Sequence, residues 1–400
     1  MKNESESMSS LAGRLLGQEM FHVLEKARSL EAAGEKVYHL ELGDPHAPAD
    51  EMIIAGSVDS LRKGNWHYAT SRGNASLRKA VAQLESHGKD YSLNADQVVI
   101  GPANFFITVF LAVTCNAGDK VVVITPCFPS YIASARMLGL NLVECPTTAE
   151  SGYKPDKNLL SLLEREKPKA LIINSANNPT GAVYDPSFMK DVVEVARKND
   201  IWILSDETYA HLTYQGVYYS LLNEDYKKIV VLSSFSKTFR VPGLRMGYQI
   251  SKCQPYVEKS ALFISTTLSC APSFLQDGCE VAIRDAASAI GRIEKQRIQY
   301  AELADQLFKS LSPHVPASFR KPESAFYLLV PLPKGIDGSL FSDGLLSEHK
   351  VAVTPGISFG EDYKNYFRIS FCGDKQEVMS GVSLINKSLD ALSRSTVSAS

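Results

Sequence analysis

Between residues 98 and 250, short runs of aliphatic and β-branched residues alternate with amphipathic stretches of helix length. Strands that are apolar on both faces and separated by helices are typical of a mainly parallel sheet with helices on both sides. The pattern therefore predicts an α/β fold. The seven predicted strands are Val98–Gly101, Lys120–Ile124, Leu140–Glu144, Ala170–Asn174, Ile201–Ser205, Ile229–Ser233 and Met246–Ile250, with helices near 103–116, 130–138, 156–165 and 186–199.

A chain of 400 residues exceeds the size at which a single hydrophobic core keeps growing, so we expect two domains. A strongly helical segment at 289–311 precedes shorter strands at 326–330, 351–353 and 367–371, and this α+β region is expected to pack with a helix near 18–33. The predicted division is a flexible N-terminal arm over 1–14, a small α+β domain over 15–47 and 291–395, and a large domain over 48–290.

Composition excludes several classes of protein. The net charge of −2 gives no electrostatic reason to expect a nucleic acid or a membrane surface as partner. The longest apolar run, residues 105–115, is too short to span a bilayer, and the N-terminus does not resemble a signal peptide. Seven scattered cysteines without a C-x-x-C pair, and eight histidines without metal-ligand spacing, argue against disulfides and metals. We expect a cytoplasmic protein with no metal.

Polar and glycine-containing turns follow four of the predicted strands. These turns are 126–131, 177–181, 206–209 and 233–237. In open α/β sheets, ligands bind beyond the carboxyl ends of the strands. The sequence therefore predicts a binding site at one rim of the sheet.

Two charged residues at this rim suggest a specific chemistry. Lys237 follows a buried strand and is surrounded by small hydroxyl residues and aromatic rings. A partly desolvated amine there loses its proton more readily and becomes a nucleophile for aldehydes. Asp206 ends an apolar strand, and there it either caps a helix or meets a positive group. In a pyridoxal 5′-phosphate (PLP) site, that positive group is the protonated pyridine nitrogen.

Further side chains fit the same cofactor. If the turn after Asp206 is helical, Tyr209 reaches a ring hydroxyl, and Asn178 offers an amide to the same hydroxyl from the neighbouring turn. Phe128 either covers one face of the ring or packs in the core. A phosphate needs helix-start amides, a hydroxyl and a fork-shaped cation. The residues that supply these groups are Ala103, Asn104, Ser234 and Arg245.

Eight motifs occur in an order and spacing that resemble the class I/II aminotransferases, which are fold-type-I PLP enzymes, from about residue 37 to 390. The motifs are Leu-Glu-Leu-Gly-Asp-Pro (40–45), His-Tyr-Ala-Thr-Ser-Arg-Gly-Asn-Ala-Ser-Leu-Arg (67–78), Ala-Gly-Asp-Lys-Val (117–121), Pro-Cys-Phe-Pro-Ser-Tyr (126–131), Asn-Asn-Pro-Thr-Gly (177–181), Ser-Asp-Glu-Thr-Tyr (205–209), Ser-Phe-Ser-Lys (234–237) with Gly-Leu-Arg-Met-Gly (243–247), and Phe-Arg-Ile-Ser-Phe (367–371).

The resemblance implies an enzyme that moves an amino group between an amino acid and a 2-oxo acid. It implies that Lys237 carries PLP as a Schiff base and then transfers a proton, with Asp206 at the pyridine nitrogen. It implies Tyr209 and Asn178 at the ring oxygen. The same resemblance implies that Ala103, Asn104, Ser234 and Arg245 hold the phosphate.

The resemblance also implies how the substrate is held and how the subunits assemble. Arg368 would pair with the substrate α-carboxylate, helped by Asn178 and by the backbone near Gly43. Tyr68 would reach the phosphate from a second subunit, so a homodimer is expected. Two departures from the family pattern are Pro102, which lacks an N–H before the phosphate-binding amides, and a short loop after Gly43.

Two other functions remain compatible with the motifs. A C–S lyase, or another α,β-eliminating enzyme on the same scaffold, begins with the same α-proton removal. A non-catalytic PLP or amino-acid sensor is the other alternative. Such regulators usually carry an N-terminal DNA-binding domain, whereas only about 36 residues precede the region of resemblance.

Overall fold

The computed structural model describes residues 8–46, 48–216 and 218–398, the side chains only as far as residue 394. Of the predicted N-terminal arm, residues 1–7 lie outside the described part. The strands are β1 (Tyr38–His39), β2 (Val98–Gly101), β3 (Lys120–Thr125), β4 (Asn141–Pro146), β5 (Ala170–Ile173), β6 (Trp202–Asp206), β7 (Ile229–Ser234), β8 (Gly247–Ser251), β9 (Tyr327–Pro331), β10 (Val351–Ala352), β11 (Thr354–Pro355) and β12 (Tyr366–Ser370).

The α-helices pack around the central sheet and the smaller sheets. They are α1 (Glu19–Ala32), α2 (Glu51–Arg62), α3 (Ala75–Ser86), α4 (Ala103–Thr114), α5 (Pro129–Met137), α6 (Lys157–Glu166), α7 (Pro186–Lys198), α8 (Phe235–Thr238), α9 (Gln254–Thr267), α10 (Ser273–Ile283), α11 (Ala286–Leu311), α12 (Gly338–His349) and α13 (Lys375–Ser398). Among the described residues, no helix combines the length and apolar character that crossing a bilayer requires.

The central sheet has seven strands in the order β2-β8-β7-β6-β5-β3-β4. All neighbouring strands are parallel except β8, which runs antiparallel to both β2 and β7. The prediction of an α/β fold with a mainly parallel seven-stranded sheet is confirmed. Strand ends differ from the prediction by at most two residues, and β2 matches it at both ends. β4 starts at Asn141 because the Leu140 amide closes the preceding helix by donating to the Ala135 carbonyl.

Alternation along the strands explains why both faces are covered. In β3, Val121 and Val123 pack into one hydrophobic core, and Val122 and Ile124 pack into the core on the opposite face. Successive side chains of a strand point to opposite faces, so a strand without polar positions needs an apolar layer on each side. The helices between the strands supply these two layers.

Two small sheets complete the fold. β1 pairs in parallel with β10, and β9, β12 and β11 form an antiparallel sheet with β12 in the centre. These strands come from the segments predicted to form the smaller domain, although the domain boundaries themselves stay a prediction. Arg368 lies on the central strand of the antiparallel sheet.

Sheet order brings the four predicted polar turns together. The strands that precede them, β3, β5, β6 and β7, are consecutive neighbours in the sheet and are parallel. Their carboxyl ends therefore meet at one rim. On the adjoining side, Gly247 of β8 pairs with Gly101 of β2 and with Ser234 of β7, so these three residues are level with one another at the same rim.

Candidate active site

A cavity of about 440 Å³ opens at this rim of the central sheet. Its wall contains eleven of the twelve residues selected from the sequence. They are Gly43, Ala103, Asn104, Phe128, Asn178, Asp206, Tyr209, Ser234, Lys237, Arg245 and Arg368. The twelfth, Tyr68, is 89% exposed and does not line this cavity.

Lys237 lies on the short helix α8, directly after β7. Ser234 caps this helix by accepting a hydrogen bond from the Ser236 amide at 3.0 Å. The Lys237 amine donates to the Gly43 carbonyl at 2.5 Å. Burial disfavours the ammonium form and lowers the pKa of Lys237 to about 8. The amine is thus poised to lose its proton near neutral pH.

Asp206 is the last residue of β6, and its two carboxylate oxygens have different partners. One oxygen accepts from the Tyr131 hydroxyl at 2.7 Å. The other accepts from the Thr208 amide at 3.1 Å and the Thr208 hydroxyl at 2.6 Å, so the carboxylate also caps its own turn. Burial raises the pKa of Asp206 despite these hydrogen bonds. The carboxylate is therefore held firmly, but it has no positive partner among the residues that the structure describes.

Arg368 is 1% exposed, which is unusual for a guanidinium. It donates through Nη1 to the Asn178 side-chain oxygen at 3.0 Å and through Nη2 to the Glu41 carbonyl. Its Nε is buried without a hydrogen-bond partner among the described residues. Burial lowers the pKa of Arg368. A buried N–H donor without an acceptor is chemically able to bind an anion.

Tyr209 and Phe128 form aromatic parts of the cavity wall. The Tyr209 hydroxyl lies 2.8 Å from the Tyr327 hydroxyl. Phe128 packs edge-on against Tyr131 at 5.7 Å between ring centroids while it lines the cavity, so its two predicted roles are compatible. Both rings are fixed by neighbouring aromatic side chains.

The start of α4 also lines the cavity. Pro102 is the cap residue of this helix, and its carbonyl accepts from the amides of Phe105 and Phe106. The amides of Ala103 and Asn104 come before the first hydrogen-bonded amide of the helix, so they have no carbonyl partner within it, as is normal at a helix start. Pro102 therefore does not remove the donors that a phosphate would need.

Arg245 and Ser234 lie on the same side of the cavity. Arg245 has a left-handed backbone, with φ of 56°, and one of its side-chain nitrogens donates to the Pro242 carbonyl at 2.8 Å. The Ser234 hydroxyl donates to the Met246 carbonyl at 3.3 Å. A guanidinium, a hydroxyl and helix-start amides thus line one end of the cavity.

These groups fit PLP. An amine that loses its proton readily suits the aldehyde, a buried carboxylate suits a pyridinium nitrogen, and the amides with the guanidinium suit the phosphate. Among the described residues, no group of three or more His, Cys, Asp or Glu side chains could hold a metal ion.

Sequence reasoning missed several residues of this wall. Tyr131 was present in one of the motifs, three residues after Phe128, but its bond to Asp206 joins residues that are 75 positions apart. Tyr327 has no local sequence signal. The sequence predicts only that the helix near 18–33 packs with the smaller domain, whereas Met20 and Phe21 in the first turn of α1 line the cavity.

Comparisons with known proteins point to one family. The family model "Aminotransferase class I and II" matches residues 41–385. The (5-formylfuran-3-yl)methyl phosphate transaminase of Methanocaldococcus jannaschii is 32% identical over 95% of the chain and 100% of that protein. The aromatic-amino-acid aminotransferase 2 of Thermococcus litoralis is 31% identical, with coverage of 87% and 90%. The crystal structure of the aspartate aminotransferase from Thermotoga maritima is 29% identical, with a TM-score of 0.85 and coverage of 96% and 100%.

Proposed function

Because the chain belongs to the class I and II aminotransferases and is thus a PLP-dependent enzyme that moves amino groups between amino acids and 2-oxo acids, we propose roles for its cavity residues. Lys237 attaches the cofactor and transfers the proton, Asp206 pairs with the pyridine nitrogen, and Arg368 binds the substrate α-carboxylate. The observation that carries this proposal is that one cavity brings together a lysine of lowered pKa, a buried carboxylate and a buried guanidinium.

When bound, PLP supplies an electron-poor ring that accepts the electron pair left behind when a proton leaves the substrate α-carbon. The protein supplies the base. Lys237 is the only lysine in the cavity wall within the described chain. Because burial lowers its pKa to about 8, a larger fraction of its Nζ is unprotonated near neutral pH and is therefore available to act as the base. The Gly43 carbonyl, at 2.5 Å, holds this amine in the cavity.

Asp206 would supply the negative charge that pairs with the pyridine nitrogen. Burial alone works against this charge, but a cation opposite the carboxylate favours the ionised form. Tyr131 and Thr208 donate three hydrogen bonds to its two oxygens and so fix its orientation. We propose that this fixed carboxylate selects the protonated form of the pyridine nitrogen.

The remaining roles follow the chemistry of each group. Tyr209 and Asn178 donate toward the ring oxygen, and Phe128 covers the ring. Ala103, Asn104, Ser234 and Arg245 bind the phosphate. Arg368 offers a fork of N–H donors that matches a carboxylate, and its unpartnered Nε supports this assignment. Gly43 contributes backbone to the same end of the cavity.

We further propose a homodimer in which Tyr68 of one subunit completes the phosphate site of the other. Exposed apolar residues support an interface near Tyr68: Trp66 is two residues away, and α2 exposes Met52, Val58 and Leu61. Contiguous exposed apolar surface commonly marks a protein–protein contact. A cytoplasmic location is proposed because all seven cysteines are free thiols.

A half-reaction screen tests the proposed function. The PLP form is mixed with single amino acids, and the spectrum is followed for conversion to the pyridoxamine form, while pyruvate and ammonia are assayed in parallel. We expect spectral conversion that a 2-oxo acid reverses, without stoichiometric ammonia. Release of pyruvate and ammonia in place of the pyridoxamine form would instead identify an α,β-eliminating enzyme, and an absence of any conversion would contradict a catalytic role.

A further inference from the structure

Tyr327 is a buried residue of the cavity wall for which the proposed function so far has no role. It is the first residue of β9 and pairs with Ser370 of β12, so two antiparallel strands fix its backbone. Its side chain is 2% exposed. From this position it contacts three of the groups to which roles were assigned above.

The first contact is made by the Tyr327 hydroxyl. It lies 2.8 Å from the Tyr209 hydroxyl, and the two rings meet edge-to-face at 5.6 Å between centroids. When Tyr327 donates, the Tyr209 oxygen is occupied as an acceptor and its own hydrogen is free to point into the cavity. The guanidinium of Arg368 beside Tyr327 favours this direction, because a nearby cation makes a phenol a better donor.

The second contact is made by the Tyr327 ring. The Arg368 guanidinium carbon lies 4.5 Å from the centroid of this ring and 4.9 Å from that of Phe359. A planar guanidinium that contacts two aromatic rings loses most of its freedom to rotate. The ring therefore restrains the group that is proposed to bind the substrate carboxylate.

The third contact is with Gly43. A Cβ atom added to Gly43 would overlap the Tyr327 hydroxyl, so only glycine allows the backbone to approach this closely. The carbonyl of the same residue accepts the hydrogen bond from Lys237. The Tyr327 hydroxyl thus also determines how near the Gly43 backbone lies to the cavity.

We propose that Tyr327 is a positioning residue with two separable actions: its hydroxyl orients Tyr209 toward the cofactor ring oxygen, and its ring orients Arg368 toward the substrate carboxylate. This inference rests on the proposed roles of Tyr209 and Arg368. The two actions use different atoms of one side chain, so one substitution can remove the first action alone and another can remove both.

Tyr327→Phe removes the hydroxyl and keeps the ring. Tyr209 then loses its donor and becomes a weaker donor itself, so the ring oxygen is less well stabilised as an anion. We expect the pH midpoint of the visible absorbance of the holoenzyme to rise by about half a unit or more. The KM for a good amino acid substrate, by contrast, stays within about twofold of the wild-type value because Arg368 keeps its stacking partner.

Tyr327→Leu removes both the hydroxyl and the ring. We expect the same shift of the absorbance midpoint and, in addition, a rise in KM of about tenfold, since a buried cation–π contact is lost. Tyr327→Met is a second variant without a ring, to be used when the leucine variant does not fold. Circular dichroism and PLP affinity, measured on each purified holoenzyme, report folding independently of turnover.

Tyr214→Phe is the matched control. Tyr214 is a buried tyrosine outside the cavity wall, and its hydroxyl donates to the Ala325 carbonyl at 2.6 Å. This variant should lose stability without moving the absorbance midpoint. The proposal is overturned when Tyr327→Phe leaves the midpoint unchanged, when the ring-less variants raise KM no more than Tyr327→Phe does, or when Tyr214→Phe shifts the midpoint equally. A wild-type enzyme that fails the half-reaction screen would contradict the proposed function itself, which separates the two failures.

Discussion

Burial pushes Lys237, Asp206 and Arg368 toward their uncharged forms, as the directions of their pKa shifts indicate. Water would solvate the charged form of each group better than the cavity does, but hydrogen bonds to well-packed neighbours hold each group in the cavity. For the lysine this shift creates a nucleophile. For the carboxylate and the guanidinium it creates sites that gain from a partner of opposite charge, and PLP and the substrate carboxylate are such partners.

The lowered pKa of Lys237 makes a prediction about pH. The uncharged amine is the reactive form, and with a pKa of about 8 its fraction grows nearly tenfold per pH unit below 8 and then levels off. The rate at which apoenzyme attaches PLP should therefore rise from pH 6 to about 8 and reach a plateau above it. Stopped-flow absorbance over pH 6–10 measures this rate. A rate that still rises steeply between pH 9 and pH 10 would indicate an exposed lysine.

Substitutions of Asp206 and of its neighbour Glu207 test the role of the Asp206 charge. Asp206→Asn keeps the shape and removes the charge, so transamination should fall by about three powers of ten or more. Glu207 is also buried but does not line the cavity; its carboxylate accepts from the Ser205 hydroxyl at 2.9 Å and the Leu221 amide at 3.0 Å. Glu207→Gln should retain activity within about tenfold. Similar losses in steady-state kcat for both variants would argue against a specific role for Asp206.

At the level of elements, the sequence predicted the strands well because they are apolar on both faces and flanked by clear turns. It did not predict the direction of β8. A strand buried on both faces has the same pattern whether it runs parallel or antiparallel to its neighbours, so periodicity carries no signal for direction. The sequence also carries no signal for contacts between residues far apart in the chain, such as the hydrogen bond between the hydroxyls of Tyr209 and Tyr327, which are 118 positions apart. The predicted roles of individual site residues await experiment.

The junction of β8 and α4 gives a prediction about an element. A Cβ atom at Gly247 would lie 2.8 Å from both the Ala103 Cβ and the Ser233 carbonyl, and backbone atoms at that distance have to move. Gly247→Ala should displace the start of α4 and weaken PLP binding about tenfold or more, because the helix-start amides lose their alignment. Equilibrium titration of the apoenzyme with PLP measures this affinity.

Gly291→Ala is the control for that substitution. Gly291 lies inside α11, and a Cβ atom there meets nothing within 4 Å. Alanine is the better helix former, so this variant should bind PLP normally and be at least as stable as the wild type. Equal PLP affinities for the two variants would mean that the tight approach at Gly247 is unimportant for the phosphate.

At the scale of the whole molecule, the exposed position of Tyr68 predicts shared active sites. Tyr68→Ala and Lys237→Ala should each abolish most activity when purified alone. After mixing under conditions that exchange subunits, each mixed dimer contains one site with both native residues, so activity should return to about a quarter of the wild-type value, as random pairing requires. No recovery, together with a mass in solution of 43.9 kDa for the wild type, would contradict the dimer.

The reversed direction of β8 has a consequence for how the chain can be rearranged. A five-residue strand is about 17 Å long, so a strand running the other way would begin at the far edge of the sheet. β8 instead begins at the rim. The segment just before it therefore places Arg245 next to the carboxyl ends of β2 and β7. Circular permutants that open the chain between Arg245 and Gly247 would cut the covalent link between Arg245 and β8. New termini at the other end of β8 would leave Arg245 attached to the strand.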